Sequence, residues 1–407
     1  MSTFDHRRPG RSRDADRDPQ TVIRSANLDV LRAVAALAVL AGHSYLLSGS
    51  YIAPTDRNPV RLLINNGAAG VWLFFALSGY LITLPFIRAL LAGTELPSLR
   101  VFATRRIARI FPAYLVAFAI VLLLGVAPGV SVRWWQIPVH AALLHNLVPG
   151  EEQAIFFASW TLTLEVVFYV FVPLVAIMLR RVHPSAVRAS RLSVGVLVLW
   201  TASVVFTSAI AYSGSAPTSL WLRLTFPSML SMFCPGILVA IGVASIDARA
   251  KPPSWFLAVA DHRRPVMAAA AVLILFGALG ATSTNLRLYD GARQLFAIAF
   301  GIVLVLALTR PEARSRGGQL LARLGLISYG IYLWHSAIVH VLVRQGISDF
   351  VPLARIGALP YLVHVAFLLA LTLPLAWISW VLIESPAIAA SKWRTGAPAT
   401  IDVAPGG

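Results

Sequence analysis

Ten apolar runs follow one another along the chain, at about 28–48, 68–91, 110–127, 160–180, 193–212, 225–245, 265–283, 290–309, 323–343 and 359–383. Each is roughly 17–25 residues long, and a helix of that length spans the roughly 30 Å hydrocarbon core of a bilayer. The pattern therefore predicts an all-α, polytopic integral-membrane bundle of about ten transmembrane helices. An eleventh stretch, 134–148, is shorter and is broken by Pro138, His140, His145 and Asn146. Residues 1–26 are rich in Arg and Asp with no apolar centre and predict a disordered tail. Residues 27–386 form the membrane domain, and 387–407 a second short tail with no soluble domain appended.

Charge decides the status of the eleventh stretch. If it is not a crossing, 25 of the 34 Lys and Arg collect on one side of the membrane and eight on the other, with Arg32 left inside a span. If it is a crossing, the loops split nearly evenly. Cytoplasmic loops are enriched in Lys and Arg, so the ten-span arrangement with both termini cytoplasmic is the expected one. Residues 128–159 then become an extracytoplasmic or re-entrant excursion. Polar backbone at membrane depth must lie against protein or a water-filled cavity, so this segment is expected to cap one. The net charge of +17 needs no nucleic acid, because its excess faces the cytoplasm. Composition agrees: 58% of residues are apolar and 13% charged, against about 25% charged in soluble domains. One cysteine, Cys234, excludes an internal disulfide and reads as packing.

Ionisable groups inside spans are expensive and usually functional. The first span, LDVLRAVAALAVLAGHSYLL, holds Arg32 and His43. Eleven residues at 100° each bring them to within about 20° of one face and about 16 Å apart along the axis. Arg32 snorkelling to headgroups and His43 satisfied in a helix interface is the structural alternative. RRIARIFPAY places Arg105, Arg106 and Arg109 at the cytoplasmic surface, where arginines suit phosphate groups; membrane anchoring is the alternative. FFALSGYLI sets Ser78 and Gly79 mid-span, for close packing or for a hydroxyl in a cavity. SWTLTLEVVFY contains Glu165, read as the one acidic residue deep in a span, which must be protonated, paired or facing water. ISYGIYLWH puts Ser328, Tyr332 and His335 on one face. His140, His145, His340 and His364 read as interfacial, and no metal-ligand spacing is visible.

Taken in order, LDVLRAVAALAVLAGH, FFALSGYLI, RRIARIFPAY, SWTLTLEVVFY, ISYGIYLWH and the closing IESPA resemble the membrane acyltransferase-three family, over about Asn27 to Pro386. The family's members O-acylate sugars and other acceptors from acyl-CoA. The resemblance implies that His43 acts as catalytic base and that Arg32, Arg106 and Arg109 serve the acyl donor. Val30 and Ala33 stand where relatives often have glycine, a departure that touches no chemical group.

The expected protein is a multi-pass O-acyltransferase of a bacterial cytoplasmic (inner or plasma) membrane. Acyl-CoA, with acetyl-CoA as the expected donor, would place its phosphates on Arg105, Arg106 and Arg109. His43 would take a proton from the hydroxyl of a glycan or small-molecule acceptor. Glu165 would orient His43 or hold the acceptor. Ser78, Tyr329 or Tyr332 would donate to the oxyanion, and His335 would face the substrate. No metal or nucleic acid is expected, and membrane lipid is the surrounding partner. A secondary transporter, which calls for half-repeats and interrupted helices, and a non-catalytic polysaccharide-binding partner are the alternatives.

Overall fold

In the computed structural model, residues 25–44, 66–124, 131–183, 185–213, 221–248, 252–281, 285–311, 315–346 and 359–394 are described. The first expected tail lies almost entirely outside them, as do residues 395–407 and the C-terminal end of the first predicted span; residues 387–394, expected as the start of the second tail, are described and helical. The elements are helical, with no strand among the described residues. In chain order they are α1 Ala26–Ser44, α2 Gly70–Ala92 with a 3-10 lead-in at Asn66–Ala69, α3 Leu99–Leu124, α4 Gln136–Ala141, α5 Trp160–Val182 and α6 Ala189–Ser213. There follow α7 Phe226–Asp247, α8 Ser254–Asp261, α9 Arg263–Ala281, α10 Leu286–Leu308, α11 Arg316–Leu326, α12 Ser328–Arg344, α13 Leu359–Ser379 and α14 Ser385–Arg394.

Nine helical segments among the described residues are long and apolar enough to cross a membrane, and a tenth is reached if α11 and α12 count as one span bent by 66°. That bend is an interrupted helix the apolar pattern did not announce. It falls at Ile327, where amphipathic α11 gives way to apolar α12. The stretch 134–148 holds only the six-residue α4 and a 3-10 turn at His145–Leu147, so it is no crossing. Two boundaries also move. The third predicted span begins at Leu99 rather than near 110, because Arg105, Arg106 and Arg109 lie inside α3; an apolar window stops at charges whose long stems are at home on a helix. The last span runs through a π turn at Trp380–Glu384 into α14, which brings Glu384 inside it. Asp290 likewise lies within α10. Glu165 is therefore not the only acidic group in the spans.

Helices α2 and α7 form the centre: in the segments containing them, 78% and 83% of the apolar window is buried, against 17% for α9. Their contact is set by Gly79 and Gly236. A Cβ at Gly79 would meet the Phe233 carbonyl oxygen, and one at Gly236 that of Ala76; only backbone-to-backbone approach fits this geometry. Phe233 stacks on Phe75 at 4.5 Å and on Phe168 at 4.3 Å, tying α2, α5 and α7 into one apolar cluster. A second cluster joins α1, α3, α12 and α13. Phe74, Phe157 and Tyr169 pack against both, and the polar site lies at this junction.

Candidate active site

A cavity opens between α1, α2, α3, α5 and α12. Its polar lining is Arg32, Ser78, Arg106, Arg109, Thr161, Glu165, Ser328, Tyr329 and Tyr332. Arg32 is carried on α1, where its Nη1 donates to Asp29 Oδ1 at 2.9 Å one turn earlier. This pair neutralises part of the arginine's charge locally and fixes its direction. Arg106 lies 5.5 Å from the ring centroids of both Phe102 and Tyr169, an aromatic clamp that holds a guanidinium without neutralising it. Arg109 follows one turn later on the same wall. Arg105 is exposed and does not line the cavity, because it stands 100° around the helix from Arg106.

Opposite the arginines, Glu165 Oε1 accepts from Tyr169 Oη at 2.7 Å and from Ser78 Oγ at 3.3 Å. Tyr169 was missed by sequence reasoning, although its i+4 spacing from Glu165 was a readable signal. It touches both Arg106 and Glu165, and so couples the cationic and anionic walls. The other hydroxyls are spoken for: Tyr329 Oη donates to Ile110 O at 2.8 Å, and Tyr332 Oη bonds Thr161 Oγ1 at 2.7 Å and Ala158 O at 3.0 Å. With Ser78 turned to Glu165, each of the three expected oxyanion donors has a protein partner already.

His43 and His335 come together. His43 Nδ1 is 3.0 Å from His335 Nε2, with the two rings edge to edge and nearly coplanar, their centroids 5.3 Å apart and their planes inclined by 16°. The pair adjoins the cavity through Tyr332, whose ring meets His335 edge-on at 5.6 Å. His335 is fully buried and His43 only partly so. Glu165 makes no hydrogen bond to His43; its partners are Ser78 and Tyr169. The backbone beside His43 is pressed against the 3-10 turn: a Cβ on Gly42 would meet Ala68 N at 2.8 Å. The end of the 128–159 stretch contacts the pair. Phe157 meets the His43 ring edge-on at 5.3 Å, and the Ala158 carbonyl takes the Tyr332 bond. No residue of 128–159 lines the cavity; along this part of the chain the lining starts at Thr161, just after the excursion.

The four histidines expected at interfaces are instead buried in protein: His140, His145 and His364 have no exposure and His340 very little. His140 Nε2 is 3.3 Å from Glu151 Oε2, and His145 Nε2 donates to Ser159 Oγ at 3.0 Å, since that hydroxyl gives its own proton to Phe156 O. Burial holds both imidazoles below their ordinary pKa, His145 down to about 3, while Glu151 partly offsets the effect on His140. Glu384, accepting from Ser379 Oγ at 2.9 Å, is a further buried carboxyl near the site, and its π turn is a feature frequent at functional positions. No group of three His, Cys, Asp or Glu among the described residues has the arrangement of a metal site.

The multi-pass helical bundle thus holds arginines and a carboxylate around a cavity that an imidazole pair adjoins. The chain belongs to the acyltransferase domain family, which it matches over residues 25–381. It is therefore a membrane acyltransferase. It is 26% identical over 398 residues to nodulation protein 10 of Rhizobium leguminosarum bv. viciae, covering 91% of this chain and 94% of that one. It is 24% identical over 396 residues to a Staphylococcus aureus (strain MRSA252) protein that carries an O-acetyltransferase name; the match covers 90% of this chain but 58% of that longer one. Acyltransferase MdmB of Streptomyces mycarofaciens is 26% identical over 336 residues, 79% of this chain and 80% of its own. No solved structure matches.

Proposed function

We propose that the protein moves an acyl group from acyl-CoA to a hydroxyl oxygen of a glycan or small-molecule acceptor at the bacterial cytoplasmic membrane. The observation that carries this is the convergence of Arg32, Arg106 and Arg109 on the same cavity that Glu165 lines and that the His43–His335 pair adjoins. The 25-to-8 division of Lys and Arg supports placing the arginine end at the cytoplasmic face, where coenzyme A is available. The O-acetyltransferase names among the relatives support acetyl transfer to oxygen.

In this reading the phosphates of the donor meet Arg106 and Arg109 as two-donor forks, with Arg32 beside them. The thioester extends past Ser78 toward the histidines. His43 accepts the acceptor's hydroxyl proton as that oxygen bonds to the thioester carbonyl carbon. The carbon–sulfur bond then breaks, and the departing thiolate takes the proton from His43, so the products are the O-acyl acceptor and free coenzyme A. Glu165, held by Tyr169 and Ser78, faces the acceptor. The transport alternative keeps one supporting feature, the break at Ile327, but membership of the acyltransferase family outweighs it. The test is binding of coenzyme A itself to purified protein by calorimetry, with acetyl-CoA turnover in vesicles measured beside it. Binding that Arg106→Ala/Arg109→Ala weakens, with turnover that His43→Ala abolishes, supports the reading. Wild-type binding in the double variant sinks it.

A further inference from the structure

The geometry points to His335 as a positioning residue that fixes His43 in the tautomer whose open nitrogen is Nε2, the one turned away from His335. This rests on the reading of His43 as base and names a second residue that reading requires. Ile331 O, His335 and His43 form a chain of three hydrogen-bonding groups. His335 Nδ1 lies 2.9 Å from the carbonyl oxygen of Ile331, one turn back on α12. A carbonyl only accepts, so Nδ1 of His335 carries a proton and donates. In the neutral ring the other nitrogen, Nε2, then has a lone pair and no hydrogen. That lone pair faces His43 Nδ1 at 3.0 Å. A bond at this distance requires the proton on His43 Nδ1, and the opposite tautomer would set two lone pairs against each other in a buried contact. His43 Nε2 is therefore left as the unprotonated nitrogen of the partly exposed ring.

The surroundings hold this chain in place. His335 is fully buried, held between the nearly coplanar His43 ring on one edge and Tyr332 beside it, whose hydroxyl is anchored to Ala158 O and Thr161. Phe157 closes the other side of His43. Among the described residues no carboxylate hydrogen-bonds to either ring, so His335, oriented by the Ile331 carbonyl, takes the place an aspartate holds in a serine-hydrolase triad. It directs the tautomer without bringing a negative charge into the apolar wall.

The test compares three substitutions in membrane vesicles from producing cells, with acetyl-CoA as donor, free thiol as readout, and turnover expressed per inserted molecule. His335→Leu fills the site without an acceptor. His335→Asn reaches only the position of Nδ1, near Ile331. His335→Gln places an oxygen near the position of Nε2 and can still accept from His43. The expected result is a fall in kcat on the order of 10²–10⁴-fold for Leu and Asn, the usual worth of a general base, with the wrong-tautomer loss in a serine-hydrolase triad, about 10⁴-fold, at the upper end. KM for acetyl-CoA should stay within about twofold, and Gln should recover at least about tenfold over Leu. In a His43→Ala background, His335→Leu should add no further loss. Equal losses in Gln and Leu, or wild-type kcat in Leu, overturn the positioning role while a dead His43→Ala leaves the base intact. A His43→Ala variant with wild-type turnover removes the base reading itself, and the positioning role with it.

Discussion

Two histidine pairs come together among the described residues, one face to face and one edge to edge, and their surroundings differ. His140 and His145 lie 4.4 Å apart with rings inclined by 4°, inside the 128–159 excursion. Both are fully buried, and their Nε2 atoms are taken by Glu151 and Ser159. His43 and His335 are held by two helices nearly three hundred positions apart in sequence. One ring is buried and committed; the other is partly exposed and next to the cavity wall. A histidine acquires chemistry when one ring nitrogen is directed and the other is left open beside a substrate path. A pair with its directed nitrogens spent on protein partners is a fastener.

The largest expected effect sharpens this contrast directly. His43→Ala should lower turnover per inserted molecule by about 10²–10⁴-fold, the usual cost of losing a general base, with coenzyme A binding nearly unchanged. His145→Gln should leave turnover per inserted molecule within about threefold. If His145→Gln proves as inactive as His43→Ala while inserted normally, the division of roles between the two pairs is wrong.

Next in size is the donor end. Removing both Arg106 and Arg109 deletes two charge-assisted phosphate contacts, each worth about 1.5–3 kcal/mol, so coenzyme A affinity should fall by at least tens-fold. Arg106→Lys should restore it only in part, because lysine lacks the planar fork and stacks less well on Phe102 and Tyr169. Arg105→Ala, on the exposed side of α3, should change affinity less than about threefold. Titration calorimetry on the three variants decides whether the cavity face or the whole basic run binds the donor.

The fastening pair predicts a pH effect of smaller size. Unfolded His145 titrates near its ordinary value of 6.5, and folded His145 near 3. Between those values the unfolded state holds the extra proton, so stability is complete above about pH 6.5 and declines as pH falls toward 3. The slope is about 1.4 kcal/mol per pH unit, or about 2 kcal/mol between pH 6.5 and 5. Thermal unfolding midpoints of wild type and His145→Gln, compared at pH 7 and 5, should show a smaller acid loss in the variant. Parallel losses would mean that His145 is not the titrating group. The smallest effect is expected at Tyr169→Phe, which removes one hydrogen bond to Glu165 Oε1, worth about 1 kcal/mol, and should show as a few-fold change in turnover.

The spans were legible because bilayer thickness imposes a length on apolar runs. The exclusion of 134–148 was legible because charge asymmetry is summed over the whole chain. Arg32 and His43 sharing one side of α1 followed from helical period alone. Other features were hidden in principle. The apolar pattern reads burial in lipid and in protein alike, so it placed His140 and His145 at an interface when they are enclosed. It stopped α3 short of its arginines and left Glu384 outside the last helix. It had no means of telling Arg105 from Arg106, since that distinction depends on which face of α3 turns toward α5.

Local composition and period determined that this chain is a helical membrane protein, and which polar side chains it carries into the spans. Their partners were decided by packing. The glycine contact of α2 with α7, the break at Ile327 and the approach of α12 to α1 select which side chains meet. Hydrogen bonds between helices depend on displacements of an ångström or less, and a one-dimensional pattern does not hold that information. Sequence named His43 and His335 separately; only the tertiary structure set Nδ1 of one against Nε2 of the other.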